Sequence, residues 1–313
     1  MKAIILKEPG TVENLIVSEE PIPTITEGEV LIQTKSISIN PVDIKTRKGN
    51  GTYGKIKDES PIILGWDVSG VVVESKSELF KKGDEVFGMV NFPGHGKAYA
   101  EYVAAPASQL ALKPKNISFD EAAAATLTVL TAWQALITNA KIKAGDRVLI
   151  HAASGGVGHF AVQIAKHFGA YVIGTSSAAN KDFVLSLGAD EHLDYKAQPF
   201  EDVVKDIDFV LDTIGGDNID RSLEVIKPGG TLISIPSGLN EQLMEKAKAK
   251  NVDGYFIMVH SSGEDMKTVA SLLEKGILKA HVSKTFPFEK LADAHVYVET
   301  ARSVGKVIVK VSE

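Results

Sequence analysis

The stretch Gly145-Asp146-Arg147-Val148-Leu149-Ile150-His151-Ala152-Ala153-Ser154-Gly155-Gly156-Val157-Gly158 decides how the rest of the sequence is interpreted. Its apolar run Val148 to Ile150 is typical of a buried parallel strand, and a glycine-rich turn follows. The next apolar residues recur at helical spacing and share one face: Val157, Ala161, Ile164, Ala165 and Phe168. The order strand, glycine loop, helix predicts that a helix N-terminus binds the pyrophosphate of a dinucleotide.

The glycine spacing supports this prediction. The loop has the pattern Ala153-x-Gly155-x-x-Gly158, which departs from the usual dinucleotide pattern only at its first position. A glycine cluster is often only a turn, but here a strand precedes it and a helix and a further strand follow. The loop residues expected to bind the cofactor are Ala153, Ser154, Gly155, Gly156, Val157 and Gly158.

The next predicted strand indicates which dinucleotide binds. It ends in small polar residues, Thr175, Ser176 and Ser177, where an NAD site usually has an acidic residue for the ribose hydroxyls. The serines can donate hydrogen bonds to a 2′-phosphate, and Lys181 can supply positive charge. The alternative for Lys181 is a position on a solvated helix face. The sequence therefore favours NADPH over NADH.

Composition and charge exclude several classes of protein. The chain has 313 residues, 44% of them hydrophobic, and a formal net charge of −6. This length predicts two domains, and the charge argues against a nucleic-acid partner. The chain contains no cysteine, which excludes disulfides and thiolate metal sites. No apolar run approaches the ~18 residues of a membrane span, and no signal peptide is recognised, so we expect no membrane partner and a cytoplasmic location.

The order of elements predicts an α/β fold. Strand signals separated by Pro- and Gly-containing turns extend from Met1 to about Ser108 and indicate a compact β domain. Ser118-x-x-Glu121 can form a capping box that begins one long helix, Ala122 to Ile137. Strands and helices alternate from Val148 to about Val259, which predicts a parallel sheet covered on both faces. Two later strands, Val282 to Phe286 and Val307 to Val311, are expected to return to the β domain.

Spaced motifs in a fixed order carry a resemblance to a known family. They are Asn40-Pro41-Val42-Asp43, Pro61-Ile62-Ile63-Leu64-Gly65-Trp66-Asp67-Val68-Ser69-Gly70, Gly83-Asp84-Glu85-Val86, Tyr99-Ala100-Glu101-Tyr102, Thr131-Ala132-Trp133, the glycine loop, Asp212-Thr213-Ile214-Gly215-Gly216, Lys227-Pro228-Gly229-Gly230 and Gly305-Lys306. Over essentially its full length the chain resembles the medium-chain dehydrogenase/reductase superfamily, in particular its zinc-free quinone and enone oxidoreductases.

The resemblance implies a chaperonin-10-like β-barrel domain and a Rossmann domain with a doubly wound parallel sheet. It implies boundaries at 1–124 for the first part of the catalytic domain, 125–263 for the NADP-binding domain, and 264–313 for the return. It also implies an active site in a cleft between the domains and, usually, a homodimer.

The resemblance also bears on metal chemistry. Zinc-dependent members of the superfamily bind their catalytic metal through cysteine, histidine and cysteine, and the matching positions here are Asn40, Trp66 and Leu127. These residues do not form a zinc-ligand set. Without a Lewis acid a simple ketone is hard to polarise, whereas a quinone or an α,β-unsaturated carbonyl accepts hydride at a conjugated position. The expected reaction is hydride transfer from NADPH to such an acceptor.

Four residues are the catalytic candidates. Thr131 matches a family threonine beside the nicotinamide, although an ordinary helix-interior threonine fits equally. Asn40 could donate to a carbonyl oxygen and Asp43 lies in the same motif, but the two could form only a turn and a helix cap. Tyr53 could supply a hydroxyl from a glycine-rich lid or be a surface tyrosine.

The remaining cofactor candidates follow the predicted strands. Tyr195 resembles a family tyrosine that stacks near the adenosine 2′-phosphate, and its alternative is a partly buried aromatic at a strand edge. The others lie at or just after the carboxyl ends of predicted strands, where parallel sheets bind ligands: Thr213, Ile214, Ile235, Ser237, Phe256 and Met258. His151, His159 and His167 have no metal-ligand spacing and are expected to be structural.

Two alternatives remain open at the level of sequence. One is a reductase of a single enone metabolite, which shares every motif with a broad quinone or enone reductase. The other is a non-catalytic NADPH-binding protein that serves as a redox sensor or has a structural role.

Overall fold

The structure is a computed structural model that describes residues 1–236, 238 and 240–312. Within these ranges the chain forms two compact units. The first, which we call the β unit, comprises residues 1–130 and those from 260 onwards. The second, which we call the α/β unit, comprises residues 131–259. Among the described residues, no helix has the length and apolar character that crossing a membrane requires.

Strands predominate up to residue 112, and strands alternate with helices between residues 147 and 256, as the sequence predicts. In chain order the strands are β1 (Lys2–Leu6), β2 (Leu15–Glu19), β3 (Glu29–Ile39), β4 (Asp67–Ser75), β5 (Glu85–Met89), β6 (Tyr102–Pro106), β7 (Leu110–Leu112), β8 (Arg147–Ile150), β9 (Tyr171–Ser176), β10 (Glu191–Asp194), β11 (Ile207–Asp212), β12 (Ile226–Ser234), β13 (Asp253–Phe256), β14 (Val282–Pro287) and β15 (Lys306–Lys310). The α-helices are α1 (Pro41–Arg47), α2 (Tyr53–Ile56), α3 (Phe119–Ala124), α4 (Leu127–Trp133), α5 (Gly158–His167), α6 (Lys181–Ser186), α7 (Asp217–Leu223), α8 (Leu243–Ala249), α9 (Gly263–Glu274) and α10 (Leu291–Glu299).

The β unit is organised around the long strand β3. The sheet follows the order β14-β15-β3-β4-β5-β7, with β6 also paired to β3, and β1 pairs with β2. Buried residues of β3 belong to two apolar clusters: Val30 and Ile32 pack in the one that contains Val86, and Ile37 and Ile39 in the one that contains Val309. Burying each such side chain contributes about 1.5–3 kcal/mol. The late strand β15 runs antiparallel to β3, so the end of the chain completes this sheet.

The α/β unit is a parallel sheet covered by helices. Its strands follow the order β10-β9-β8-β11-β12-β13, and every neighbouring pair is parallel. This is the order of a doubly wound dinucleotide-binding fold. Adjacent strands contribute Leu149, Ile173, Val210 and Leu232 to one apolar cluster. The predicted α/β class with a doubly wound parallel sheet and a separate β domain is therefore confirmed.

The prediction for the helix that follows the first β strands is wrong. The sequence predicts a single helix from Ala122 to Ile137, but α3 ends at Ala124, α4 runs from Leu127 to Trp133, and a π-helical segment follows at Gln134–Asn139. The backbone N–H of Leu127 donates to the Asp67 carboxylate at 2.9 Å, so a side chain of β4 replaces the helical partner at the break. The predicted capping box is present, because Ser118 Oγ accepts from Glu121 N and Ser118 N donates to the Glu121 carboxylate.

Other differences are local. Among the strand signals between Met1 and Ser108, the one at Ala98 to Ala104 corresponds to β6 at Tyr102–Pro106. The sequence predicts no strand at the positions of β2, β7 and the edge strand β10. Strand β10 is short and contains polar residues, so neither periodicity nor length distinguishes it from a loop.

Candidate active site

The residues predicted to bind a cofactor lie at one edge of the α/β sheet. The glycine loop follows β8, Thr175 and Ser176 end β9, Thr213 follows β11, and Phe256 ends β13. Because the strands are parallel, these positions all lie at carboxyl ends. The strand order reverses between β8 and β11, and such a switch point is where doubly wound sheets bind ligands.

The loop after β8 requires glycine for a steric reason. A Cβ on Gly158 would lie 2.2 Å from the Ala152 carbonyl oxygen, and one on Gly155 would lie 3.2 Å from the same atom. Gly155 N donates to that oxygen at 2.8 Å and closes the turn, and α5 begins at Gly158. The N–H groups in the first turn of a helix have no partner inside the helix, so they are suited to an anion. The loop therefore fits a dinucleotide pyrophosphate.

The turn after β11 is held by the buried carboxylate of Asp212. Gly215 N donates to Asp212 Oδ2 at 3.0 Å, and Ile214 N donates to Oδ1 at 3.2 Å. Asn218 Nδ2 donates to Oδ1 at 2.8 Å, and Ser234 Oγ donates to Oδ2 at 2.7 Å. One side chain thus fixes the turn, the start of α7 and the end of β12.

His151 joins three elements beneath the loop. Ser222 Oγ donates to the Asn218 carbonyl at 2.6 Å and lies 3.0 Å from His151 Nε2, so His151 Nε2–H donates to Ser222. His151 Nδ1 then accepts from Thr175 Oγ1 at 3.0 Å. Burial lowers the pKa of His151 to about 4, which keeps the ring neutral. Thr175 therefore directs its hydroxyl into the sheet, while Thr213 Oγ1 donates to the His151 carbonyl at 3.0 Å.

The end of β9 collects the polar residues predicted for the adenosine half of the cofactor. Asn180 Nδ2 donates to Ser154 Oγ at 3.1 Å and connects the glycine loop to this end. Tyr195 N donates to the Ser176 carbonyl at 3.3 Å, and the Tyr195 side chain is 55% exposed. Lys181 is exposed at the first position of α6.

Four other predicted cofactor residues end or follow strands of the same sheet: Ile214, Ile235, Phe256 and Met258. Ile235 N donates to the Asp212 carbonyl at 2.9 Å, and Ile214 and Met258 are 49% and 60% exposed. Phe256 packs against the core of the sheet. Ser237 lies outside the described residues. Thr131 is buried in α4, immediately before the π-helical segment. The roles of these residues stay predictions.

The β unit contains a second polar group of residues around Asn40. Lys306 Nζ donates to Asn40 Oδ1 and, at 3.0 Å, to the Ile39 carbonyl. Asn40 Nδ2 donates to Asp67 Oδ2 at 2.7 Å, and Lys306 Nζ lies 3.9 Å from the same oxygen. A cation on one side and a carboxylate on the other fix the orientation of the amide group. Asn40, Asp67 and Lys306 are all buried.

Asp43 adds a second carboxyl group to this site. Its Oδ2 accepts from Asn40 N at 2.6 Å, and the side chain is completely buried. Burial and the nearby charge of Asp67 raise the pKa of Asp43 to about 7, while Lys306 opposes the shift. Burial lowers the pKa of Lys306. Asp43 therefore titrates near neutral pH.

Tyr53 lies in a different setting. It begins α2, and its ring packs on the apolar cluster that contains Leu64 and Tyr99. Its catalytic role stays a prediction.

Comparison with known proteins places the chain in a family. Residues 26–115 match a model described as an alcohol dehydrogenase GroES-like domain, and residues 187–309 match one described as a zinc-binding dehydrogenase. Over 99% of this chain and 79% of the relative, it is 36% identical to a 2-methylene-furan-3-one reductase of Solanum lycopersicum. It is equally identical, with the same coverage, to an NADPH-dependent alkenal/one oxidoreductase, chloroplastic, of Arabidopsis thaliana. The chain belongs to the medium-chain dehydrogenase/reductase superfamily, in its quinone and enone oxidoreductase group.

A solved structure agrees with this assignment. The quinone oxidoreductase from Coxiella burnetii is 35% identical and superposes with a TM-score of 0.94, covering 100% of this chain and 99% of that chain. The GroES-like model matches inside the β unit, which confirms the chaperonin-10-like domain expected from the resemblance.

The zinc site of metal-dependent superfamily members does not fit this chain. Of the three corresponding positions, Leu127 has no ligand atom, and Trp66 Nε1 donates to the Gly94 carbonyl at 2.7 Å. Asn40 already bonds Lys306 and Asp67 through both ends of its amide. Amide and indole groups are poor zinc ligands, and the chain has no cysteine.

Four residues of these polar groups have contacts that the sequence does not predict. Lys306, Asp212 and Asp67 lie in the family motifs, but their contacts with Asn40 and with the turn after β11 emerge only in the structure. No motif contains His192, whose Nε2 lies 2.8 Å from Ser176 Oγ. A sequence-based prediction could place His192 near Ser176 only by pairing its strand with β9, because that pairing brings His192 to the carboxyl end of β9.

Proposed function

We propose that this protein is an NADPH-dependent, zinc-independent oxidoreductase that transfers hydride to a quinone or an α,β-unsaturated carbonyl compound. The observation that carries the proposal is the end of β9. Ser176 and Ser177 stand there beside Lys181, where an NAD site has a carboxylate, and the glycine loop is connected to them through Asn180. The names of the two plant relatives, a furanone reductase and an alkenal/one oxidoreductase, support an acceptor of this class.

The chemistry follows from the residues that are present. When bound, NADPH supplies a hydride from its nicotinamide ring. The acceptor must already be electrophilic, because Asn40, Trp66 and Leu127 at the positions of the superfamily's zinc ligands provide no metal site to polarise a simple ketone. In an enone the hydride adds to the β-carbon, the electron pair moves onto the carbonyl oxygen, and a proton from solvent completes the product.

The residues of this chain are proposed to bind the cofactor and to stabilise the developing oxyanion. The glycine loop and α5 would hold the pyrophosphate, and Asp212 would keep the neighbouring turn in place. Thr131 is proposed to lie beside the nicotinamide. Asn40 is proposed to donate its remaining amide N–H to the developing oxyanion, with its orientation fixed by Lys306 and Asp67.

The test is the consumption of NADPH with a panel of quinones and enones, followed by the absorbance of the reduced nicotinamide. We expect acceptor-dependent oxidation that chelation leaves unchanged. Turnover of one enone alone would identify a reductase of a single metabolite. NADPH binding without oxidation across the panel would indicate a sensor or structural protein, and loss of activity on chelation would restore a metal mechanism.

Lys181→Ala tests the choice of cofactor. Removing this cation is expected to weaken NADPH binding about tenfold or more and NADH binding less than twofold, because only NADPH carries the 2′-phosphate. Dissociation constants from nucleotide fluorescence give both values. Equal weakening of the two cofactors would show that the 2′-phosphate binds elsewhere.

We also propose a homodimer and a cytoplasmic location. Strand β13 is an edge of the α/β sheet, and an edge strand offers its backbone groups to another chain. Exposed Met258 follows β13 and adds apolar surface. Light scattering of the purified protein tests the dimer, and a monomer at micromolar concentration would contradict it. The plant relative named chloroplastic has another location, so cell fractionation must test the compartment.

A further inference from the structure

His192 occupies an unusual position at the end of the sheet that carries Ser176. It lies in the middle of the edge strand β10, which pairs only with β9 among the described residues. Its Nε2 atom is 2.8 Å from Ser176 Oγ, and the ring is half-buried. Ser176 Oγ also donates to the Ser177 carbonyl at 3.2 Å, so the hydroxyl can accept the Nε2–H of a neutral His192.

The groups that face His192 include one cation near the predicted phosphate position. Helix α6 contributes Lys181, whose charge acts on His192, and strand β9 contributes the hydroxyl of Ser176. Its own strand contributes Asp194, whose charge favours the protonated ring, and Glu191, which accepts from the Tyr171 hydroxyl at 2.6 Å. Asp182 also lies in the first turn of α6.

The balance of these groups favours a neutral ring in the protein without nucleotide. Burial lowers the pKa of His192 first, and Lys181 lowers it further, while Asp194 and a backbone hydrogen bond to Ser177 oppose the shift. A doubly charged phosphate beside Ser176 would act in the opposite direction, since an opposite charge within about 4–6 Å favours the charged form.

We propose that His192 is a specificity residue for NADPH: it takes up a proton when the 2′-phosphate binds at Ser176, and it then forms a charge-assisted hydrogen bond with the phosphate or with Ser176. The inference rests on the proposed function, because it requires that the 2′-phosphate lie at the end of β9. It goes further in assigning a titrating cation besides Lys181.

The proposal distinguishes the two cofactors through pH. NADPH and NADP⁺ carry the 2′-phosphate, so their affinity should rise as pH falls and protonation of His192 becomes easier. NADH and NAD⁺ lack this charge, so their affinity should not change through His192. A shift of one pKa unit between the free and bound states changes the affinity tenfold at a pH well below both pKa values, and by less between them.

The experiment measures dissociation constants of NADP⁺ and NAD⁺ by calorimetry at about pH 6.5 and about pH 8.5. Wild-type protein is expected to bind NADP⁺ at least about threefold more tightly at the lower pH. In His192→Gln the amide can still donate to Ser176 but cannot become charged, and this contribution to the pH dependence should disappear. Titration of the 2′-phosphate itself, with a pKa near 6, is shared by both proteins and cancels in the comparison.

His167→Gln is the matched control, because His167 is an exposed histidine at the far end of α5. This variant should keep the wild-type pH dependence. Unchanged NAD⁺ affinity in His192→Gln establishes that the variant is folded.

Proton uptake provides a second readout. Titration in buffers of different ionisation enthalpy should show that wild-type protein takes up more protons per NADP⁺ bound at about pH 7.5 than His192→Gln does. Equal uptake and equal pH dependence in the two proteins, with NADP⁺ still preferred over NAD⁺, would overturn this inference alone. A wild-type protein that binds neither NADP⁺ nor NADPH would instead overturn the proposed function.

Discussion

Asp212 is a single carboxylate on which the turn after β11 depends. It accepts from Gly215 N, Asn218 Nδ2 and Ser234 Oγ, and it is completely buried. In Asp212→Asn an amide N–H₂ must face one of these donors. We expect a loss of about 1–3 kcal/mol in the free energy of unfolding and weaker NADPH binding.

Urea unfolding and nucleotide fluorescence measure the two effects of Asp212→Asn. Asp206→Asn is the control, because Asp206 is exposed on the loop before β11 and should change neither quantity. A wild-type result for Asp212→Asn would mean that the turn is held by other contacts.

Lys306 is the cation of the buried site around Asn40. Lys306→Met leaves Asp67 and Asp43 buried without it, and breaking a buried pair in this way costs about 3–5 kcal/mol. Thermal unfolding is expected to show a large decrease in stability.

Lys310→Met is the matched control on the same strand. Lys310 is 60% exposed and lies 3.4 Å from Asp120, so its loss should cost about 0–1 kcal/mol. Equal effects of the two substitutions would remove the argument that Lys306 acts as a buried counter-ion.

At the scale of elements, the loop that joins β8 to α5 depends on the absence of a side chain. Gly158→Ala would force a Cβ to within 2.2 Å of a carbonyl oxygen, so the loop must move. Nucleotide binding should fall by more than about tenfold, corresponding to about 1.4 kcal/mol.

Gly54→Ala is the comparison for the loop variant, because a Cβ at Gly54 would meet no atom within 4 Å. Calorimetry with NADPH compares the two proteins. Unimpaired binding by Gly158→Ala would show that the phosphates do not approach this loop.

The elements that the sequence predicts correctly are those with local signals. The glycine loop, the apolar strands and the Ser118 capping box all act over a few residues. The break between α3 and α4 depends on Asp67, sixty positions away from Leu127, and no local pattern contains it. The contact of Lys306 with Asn40 spans 266 positions, so its role emerges only when β15 pairs with β3.

At the scale of the whole molecule, each unit buries a neutral histidine. Burial lowers the pKa of His151 to about 4 in the α/β unit and that of His295 to about 3 in the β unit. Between these values and the usual 6.5, the unfolded chain binds protons that the folded chain does not. Neither histidine lowers the free energy of unfolding above about pH 6.5. Below that pH, each lowers the free energy of unfolding by about 1.4 kcal/mol per pH unit until its folded pKa is reached.

His151→Gln tests this acid sensitivity. When the pH is lowered from 6.5 to about 5, the free energy of unfolding of the wild type should fall by about 2 kcal/mol more than that of His151→Gln. His167→Gln, at an exposed position, should show no such change. A constant difference for His151→Gln would mean that folding leaves the pKa of His151 unchanged.

The raised pKa of Asp43, about 7, has the opposite effect. The folded protein keeps a proton on Asp43 that the unfolded chain releases above about pH 4, so this group destabilises the fold increasingly up to about pH 7. Because Asp43 is present in both proteins, its effect cancels when the pH dependence of unfolding is compared between wild type and His151→Gln.

Transfer of hydride from NADPH to a conjugated carbon, without a metal, leaves a position-specific label. NADPH with deuterium at both C4 positions is supplied with an enone acceptor and a chelator, and NMR locates the deuterium in the product. We expect deuterium at the carbon β to the carbonyl group. Deuterium on the carbonyl carbon, or no transfer until zinc is added, would contradict this expectation.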